Sequence, residues 1–584
     1  MNGAILLLAA GAVFLLGYFI YSRFLAGKLG VDPSVPTPAV TRNDGVDYVP
    51  AHPTVLFGHH FAAIAGAGPI VGPVLAAEFG WAPVALWIVF GCVFIGAAHD
   101  MIAMFLSVRH GGESIGSVIG TILGRPGRTM FLLFSWSALV LVVAEFTRQI
   151  AGTFVADPAI ATASLLFIAE AVVFGLCVYR WKMSVLVASL IFVPLMFAFV
   201  WVGNVWPLDL VKLFGLTPEA TRTAWTLVLV AYCFFASTCP VQFLLQPRDY
   251  LNAYLLYAMM GLGFLGVFAA HPVMHIDAFS GFAAVGRAGV SDMLFPMLFV
   301  TVACGACSGF HALVASGTSA KQLSSEGSLR PIAYGGMLLE GVLAIIALVG
   351  VAGTYLSQKE YVAAIQGMEP VQMFASTIAG FCVKVGVPQR IAESFMLLSV
   401  SAFLMTTVDA GTRLARFSWQ ELVWDGDGSG KLKVESGKCG VEGEACKVEG
   451  GVRAVRKAAH NMYFGTAVVC ALVVALLMGS PGTAKQLWTL FASANQLLAS
   501  LTLLAATLWF MRNKGFTLVT FLPMVFMMGV SSWALGMLCW NSFFSGTGIN
   551  WVKGCATLFL LSLAAALVVL AVRSASRDFR AARG

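Results

Sequence analysis

Fifteen stretches of this chain, each close to twenty residues long, run almost without a charge, and no other feature restricts the fold as much. A helix rises about 1.5 Å per residue, so about 20 apolar residues cross the ~30 Å hydrocarbon core of a bilayer. Within that core every backbone N–H and C=O must be satisfied by the protein itself, which leaves helices and closed barrels. Barrel strands would show about ten residues of alternating polarity, whereas these runs are continuously apolar, so the chain is expected to be an all-α polytopic membrane protein. Composition agrees, with 59% hydrophobic and 11% charged residues against roughly 25% charged in a soluble protein. A soluble enzyme is excluded.

The expected spans are Ala4 to Tyr21, Val55 to Ala77, Ala82 to Leu106, Thr129 to Thr147, Ile160 to Val178, Ser184 to Gly203, Ala224 to Leu245 and Leu251 to Ala270. Met293 to Ser316, Ile332 to Thr354, Ile391 to Ala410, Asn461 to Gly479, Leu487 to Met511, Phe516 to Met537 and Val552 to Val572 complete the set. The first has no charge before it and Arg23 and Lys28 after it, which places the N-terminus outside. Bulky Tyr-Phe-Ile-Tyr at its end is unlike a signal-peptide cleavage site. Alternating the loops from there assigns 26 of the 35 Lys and Arg to the cytoplasmic side and the other nine outside, and it leaves the C-terminus cytoplasmic. Val371 to Gly386 is also apolar, but as a span it would export the nine bases of Arg413 to Lys457, so it is expected as an external re-entrant or surface helix. The bases are scattered among loops and form no face for nucleic acid.

Residues 412–460 are rich in Gly, Lys and Glu and read as a flexible cytoplasmic loop. Asp425, Asp427, Ser429 and Gly430 fit the start of an EF-hand loop, yet Ser436 stands where the bidentate Glu belongs, so calcium is not expected. Cys439 and Cys446 read as free thiols in a reducing cytoplasm. Cys304 and Cys307 form a lone C-x-x-C in an apolar run, which is no metal set.

Breaks within apolar helices point to sites, because a broken helix at membrane depth is tolerated only where it is buried or lines a cavity. Gly66, Gly68 and Gly72 with Pro69 and Pro73 interrupt the second span, the glycines permitting unusual φ/ψ and the prolines freeing carbonyls. Ser237-Thr238-Cys239-Pro240-Val241-Gln242 reads as a second break, inside Ala224 to Leu245. The two would run in opposite directions and lie five spans apart, the arrangement of a five-plus-five inverted repeat. The expected divisions are a first helix and loop over 1–54, a transport core over 55–411, the polar loop over 412–460, and a four-helix region over 461–584.

The eighth core span carries Ser308, His311, Ser316 and Thr318 near helical spacing, and would face the first break. His311 suits proton pickup near neutral pH. Other ionisable residues within spans are His59, His60, His99, Asp100, Glu145, Arg148, Glu170, Glu340 and Asp409, and such groups face cavities or one another. Glu145 and Arg148, at i,i+3, would pair. His99 and Asp100 are gate candidates, and Asp409 with Arg413, at i,i+4, would be a gate or an anchor. No H-E-x-x-H, G-x-S-x-G or Walker A occurs, so no enzyme, cofactor or metal is expected and transport would be gradient-driven.

The stretch from Gly58-His59-His60 through Gly72-Pro73 resembles the carbon starvation protein A family. So do Ala98-His99-Asp100, Gly112-Glu113-Ser114-Ile115-Gly116, Ser308-Gly309-Phe310-His311, Ser316 through Gln322, Arg330 through Glu340, and Thr407-Val408-Asp409-Ala410-Gly411-Thr412-Arg413. These blocks cover Phe57 to Arg416 in order; the Arg413 to His460 loop matches no family pattern. The resemblance implies a bacterial inner-membrane transporter for peptides or pyruvate under carbon starvation, proton-coupled, with the LeuT-like fold of the amino acid, polyamine and organocation superfamily.

The resulting expectation is a symporter that carries a small carboxylate-bearing nutrient by alternating access. Its carboxylate would meet half-helix ends at Gly66, Gly68, Pro69 and Gly72, and Ser237, Thr238, Cys239 and Gln242 would complete the pocket. His59, His60 and His311, with Ser308, would couple protons, or Ser316 and Thr318 would hold Na⁺. A channel would need a constriction ring of repeated subunits, and a sensor would need a folded domain in the 412–460 segment. The sequence suggests neither.

Overall fold

A computed structural model describes residues 1–45, 48–239, 244–286, 291–423, 460–478, 481–513, 515–544 and 550–581. Twelve of its helices are long and apolar enough to cross a membrane. They are α1 (Gly3–Leu29), α4 (Trp81–Arg109), α5 (Ile115–Ala156), α6 (Pro158–Arg180), α7 (Val185–Val205), α8 (Pro218–Thr238), α9 (Leu245–Ala270), α13 (Glu326–Thr354), α15 (Gln389–Val423), α17 (Leu487–Arg512), α18 (Leu518–Phe544) and α19 (Trp551–Asp578). A thirteenth is a pair bent by 43°, α2 (Pro53–Ile64) and α3 (Gly68–Phe79). The other two expected spans take different forms. Residues 294–317 make three short helices, α10 (Leu294–Thr301), α11 (Ala303–Ala306) and α12 (Gly309–Gly317), and α16 (Met462–Met478) has only 17 residues.

The connections sort into two faces. On the N-terminal face the Gly3 N–H donates to the Pro272 carbonyl, Trp81 to Asp277, His275 to Ala352, and Ser394 to Asp157. On the opposite face Arg109 pairs with Glu326, Arg42 donates to the Gly111 carbonyl, Ser114 to Glu421, and Arg512 to the Ile122 carbonyl. Apolar α14 (Pro370–Val385) begins and ends on the N-terminal face, where Met368, Gln372, Arg390 and Asp157 line one cleft. The two longest helices, α5 of 42 residues and α15 of 35, pack side by side, with Gly411 against Val142 and Val143 and the Thr153 hydroxyl 3.4 Å from Ser401 Oγ. α5 bends at Gly124, whose φ of 75° only glycine adopts readily, ahead of Pro126.

Three expectations need correction. The stretch after Ser237 is not a break inside one span, because α8 and α9 on either side of it are 21 and 26 residues long, each enough to cross. A Pro and short polar residues mark a chain reversal as readily as a broken helix. Second, Met293 to Ser316 is not a continuous helix: Val302 leaves helical geometry, and Cys307 and Ser308 are extended. Third, residues 412–423 belong to α15, not to a loop. Gln242, the Asp425 to Gly430 motif, Cys439 and Cys446 lie outside the described residues.

Candidate functional site: a buried ionic cluster where two broken helices cross

The first break begins at Ala65, whose ψ of 65° ends α2, and α3 restarts at Gly68. Pro69 sits in the first turn of α3, where its missing N–H breaks no helical bond. Gly66, Gly68 and Gly72 do not have positive φ, so their role is close approach and not the unusual backbone expected. A Cβ on Gly68 would lie 2.4 Å from Cys304 Sγ, one on Gly72 2.7 Å from the Thr301 carbonyl oxygen, and one on Gly66 3.0 Å from Thr407 Oγ1 and 3.3 Å from the Phe146 ring. The first broken helix thus crosses the second at its own break.

Asn495 of α17 secures that second break. Its Oδ1 accepts from the Phe310 N–H (2.8 Å) and its Nδ2 donates to Ser308 Oγ (3.0 Å), completing bonds that an interrupted helix leaves open. This fixes the start of α12, and with it His311.

His311 joins three helices. Its Nδ1 lies 2.8 Å from Asp100 Oδ2 on α4 and its Nε2 3.3 Å from Glu340 Oε2 on α13. Asp100 Oδ1 meets His99 Nδ1 at 2.8 Å. The side chains of His99, Asp100, His311 and Glu340 have no solvent exposure. The Ile64 carbonyl, at the end of α2, faces the His311 ring. Two carboxylates and an imidazole, buried beside a helix break, are groups that can take up and give back a proton.

A second ionic group lies between α2, α8, α9 and α15. Arg248 contacts Asp409 and Tyr232, whose hydroxyl donates to Asp409 Oδ2 at 2.7 Å. His59 Nδ1 is 3.4 Å from Asp249 Oδ2, and Asn252 Nδ2 donates to Thr406 Oγ1 at 2.8 Å. Towards the N-terminal face, Arg148 holds Glu145 with two bonds of 2.8 and 3.1 Å and reaches Glu369 at 3.5 Å, above Phe146 and its ring partner Phe491. A cavity of about 350 Å³ opens on the opposite face, lined by Arg128, Leu139, Leu313, Ser316, Lys321, Leu414, Glu421 and His460 among others.

The structure divides the expected site. His311 meets Asp100, which in turn meets His99, so the structure places these two gate candidates beside His311. His60 turns to Ser319 Oγ (2.8 Å), and His59 turns the other way, to Asp249. Ser237 Oγ lies 3.4 Å from Thr466 Oγ1, Thr238 bonds the Phe234 carbonyl, and the Cys239 carbonyl accepts from Arg413, so these residues close the end of α8 while Cys304 and Thr301 take the place against Gly68 and Gly72. Asp409 pairs with Arg248 and not with Arg413, which donates instead to the Ala236 and Cys239 carbonyls. Ser316 Oγ donates to the Ala312 carbonyl and accepts from the Ile115 N–H, and Thr318 donates to the Val314 carbonyl, so both hydroxyls are engaged by backbone. The expected Glu145–Arg148 pair is present. Arg248, Asp249 and Asn495 were not singled out from sequence; adjacent opposite charges in Arg248-Asp249 after Pro247 read as a loop. Among the described residues no group of three or more His, Cys, Asp or Glu could hold a metal.

The family model described as carbon starvation protein CstA matches residues 2–369 and 362–534. "Peptide transporter CstA" of Mycobacterium tuberculosis (strain ATCC 25618 / H37Rv) is 32% identical, covering 87% of this chain and 71% of that one. "Pyruvate/proton symporter BtsT" of Escherichia coli (strain K12) is 31% identical over 91% of this chain and 81% of that one. Among solved structures, MhsT in complex with L-phenylalanine aligns with 90% of this chain and 99% of that chain at 11% identity and a TM-score of 0.47, a likeness too slight to bear on the fold.

Proposed function

Because the chain belongs to the carbon starvation protein CstA family, we propose that it is a proton-coupled secondary transporter that takes up a small carboxylate-bearing nutrient, a short peptide or pyruvate. The observation that carries this reading is the Asp100–His311–Glu340 cluster, fully buried at the crossing of the two broken helices. Protonation of the cluster neutralises charge that would otherwise be expensive at membrane depth, so the loaded and unloaded states favour different packings of the helices around it. The N-terminus of α3 supplies a partial positive charge for the substrate carboxylate.

Alternating access has its parts at the two ends of this path. The Glu145–Arg148–Glu369 group, over Phe146 and Phe491, closes the N-terminal face, and the 350 Å³ cavity gives access from the other. The bases of Arg109, Arg128, Lys321 and Arg512 lie on that second face, which the positive-inside rule makes cytoplasmic. We infer fifteen crossings, with the 294–317 segment and α16 completing the count, in a bacterial inner membrane. We further infer a core of two inverted halves of five helices, the second starting at the 294–317 break. α2/α3, α4 and α5 then correspond to α10–α12, α13 and α15: a broken helix, a helix of 29 residues in each case, and the longest helix of its half.

Uptake into proteoliposomes tests this reading. Labelled pyruvate and, separately, labelled dialanine are offered with and without an inward proton gradient. Accumulation above equilibrium for one of them, only with the gradient, is expected; equilibration without accumulation would make the protein a channel.

A further inference from the structure

We propose that His59 and Asp249 form a second proton site, separate from the Asp100–His311–Glu340 cluster, so that two protons cross with each substrate molecule. This rests on the proton-coupled reading above and adds a stoichiometry to it.

The geometry of α2 carries the argument. His59 and His60 are neighbours on a helix, so their side chains diverge by about 100°. His60 turns to Ser319, on the side of Asp100, His311 and Glu340, and His59 turns to Asp249 on α9. One half-helix therefore lies between two ionic groups.

Each group holds more carboxylates than fixed positive charges. On the α9 side the charged and titratable neighbours include Arg248, Asp249 and Tyr257 from α9, Tyr232 and Cys233 from α8, Asp409 from α15, and His59 with His60 from α2 itself. Arg248 and Asp409 contact each other and cancel. Asp249 is left, 2% exposed, with its Oδ1 unbonded and with His59 as the partner that can become positive; His59 Nε2 is also without a hydrogen bond. On the α4 side Asp100 and Glu340 face one imidazole between them, with His99 on Asp100 and no Lys or Arg in contact. A buried carboxylate without a counter-charge is costly in a bilayer; one proton on the His59–Asp249 pair removes that cost in its group, and one on His311 between Asp100 and Glu340 lowers it in the other. The first group ties the start of α12 to the end of α2 through His311 and the Ile64 carbonyl, and the second lies on α2 itself, so one rearrangement at the break after Ile64 alters both. A proton loads each group from the N-terminal face with the substrate, and both leave towards the opposite face.

The accumulation limit reads the stoichiometry directly. In proteoliposomes with the membrane potential clamped at zero and a pH difference of about one unit, each coupled proton is worth about a tenfold concentration ratio. We expect labelled pyruvate, or labelled dialanine in a parallel arm, to reach about a hundredfold with the wild type and about tenfold with Asp249→Asn. Leak of undissociated pyruvic acid cannot exceed about tenfold, so it cannot mimic the first result. A wild-type limit of about tenfold would overturn the second site and leave proton coupling intact, and this measurement decides even if Asp249→Asn does not assemble. An Asp249→Asn limit that stays at about a hundredfold would overturn it as well. No gradient-driven accumulation of either compound would overturn the coupled reading and this proposal together.

Discussion

Replacing Gly68 with Ala tests whether the two broken helices meet as described. The added Cβ would lie 2.2 Å from Cys304 Cβ and 2.4 Å from its Sγ, with the Cys304 Cα at 3.6 Å. These atoms are next to the backbone, so no flexible side-chain end can yield, and α3 or α11 must shift. Overpacking of this kind costs about 1–3 kcal/mol, and the contact with Cβ argues for the upper part of that range, a factor of roughly a hundred in the folding equilibrium. The assay is thermal melting of purified protein in detergent together with initial rates of uptake. Gly68→Ala should melt several degrees lower and transport poorly. Cys304→Gly removes both clashing atoms, so the double variant Gly68→Ala/Cys304→Gly should regain most of the loss, with a coupling energy of about 1–3 kcal/mol in the double-mutant cycle. If Gly68→Ala melts and transports like the wild type, or if the two substitutions are simply additive, the breaks do not touch and the site has been built on the wrong contact.

Other consequences follow from the same contacts. His311→Ala should abolish gradient-driven accumulation while sparing substrate exchange in counterflow; unchanged accumulation would remove His311 from coupling. Asp409→Asn removes the carboxylate that Arg248 contacts and leaves Asp249 as its only nearby counter-charge among the described residues, and should cost about 1–3 kcal/mol, seen as a fall in melting temperature, whereas Arg248→Met/Asp409→Leu should recover stability but not transport. Asn495→Ala leaves the Phe310 N–H and the Ser308 hydroxyl without their partner and should cost about 1–3 kcal/mol, with a loss of uptake greater than that of Ser308→Ala.

Much of this architecture is legible in the amino-acid order because the bilayer admits so few solutions. The runs of apolar residues locate twelve long helices and the bent one, and the positions of Lys and Arg agree with the two faces on which the loops assemble. The first break is visible because three glycines and two prolines fall within eight residues, although the glycines act by admitting Cys304, Thr301 and Thr407 and not through their φ angles. The second break left no such mark. Cys304-Gly305-Ala306-Cys307-Ser308-Gly309 is as apolar as the helices around it, and what opens it is Asn495, nearly two hundred residues away. Conversely, Ser237 to Cys239 read as a break within a span, yet they end α8, which is already 21 residues long. His59, His60, His99, Asp100, Glu340 and Asp409 stand out as anomalies in apolar surroundings, but Arg248 and Asp249 read as a loop, and the partners were not visible. Asp100 is matched with His311 and Asp409 with Arg248 across separations of 211 and 161 residues, which spacing along one helix cannot disclose.

The central claim is that substrate and protons move together through the Asp100–His311–Glu340 cluster. Its most direct test is the lumenal pH of dye-filled proteoliposomes when substrate alone is added outside, with no imposed proton gradient and the potential clamped. The wild type should acidify the lumen as labelled substrate enters; Glu340→Gln should not, although in vesicles preloaded with unlabelled substrate it should still take up label by exchange. Entry of substrate with no change of lumenal pH in the wild type, or equal acidification by Glu340→Gln, would contradict it.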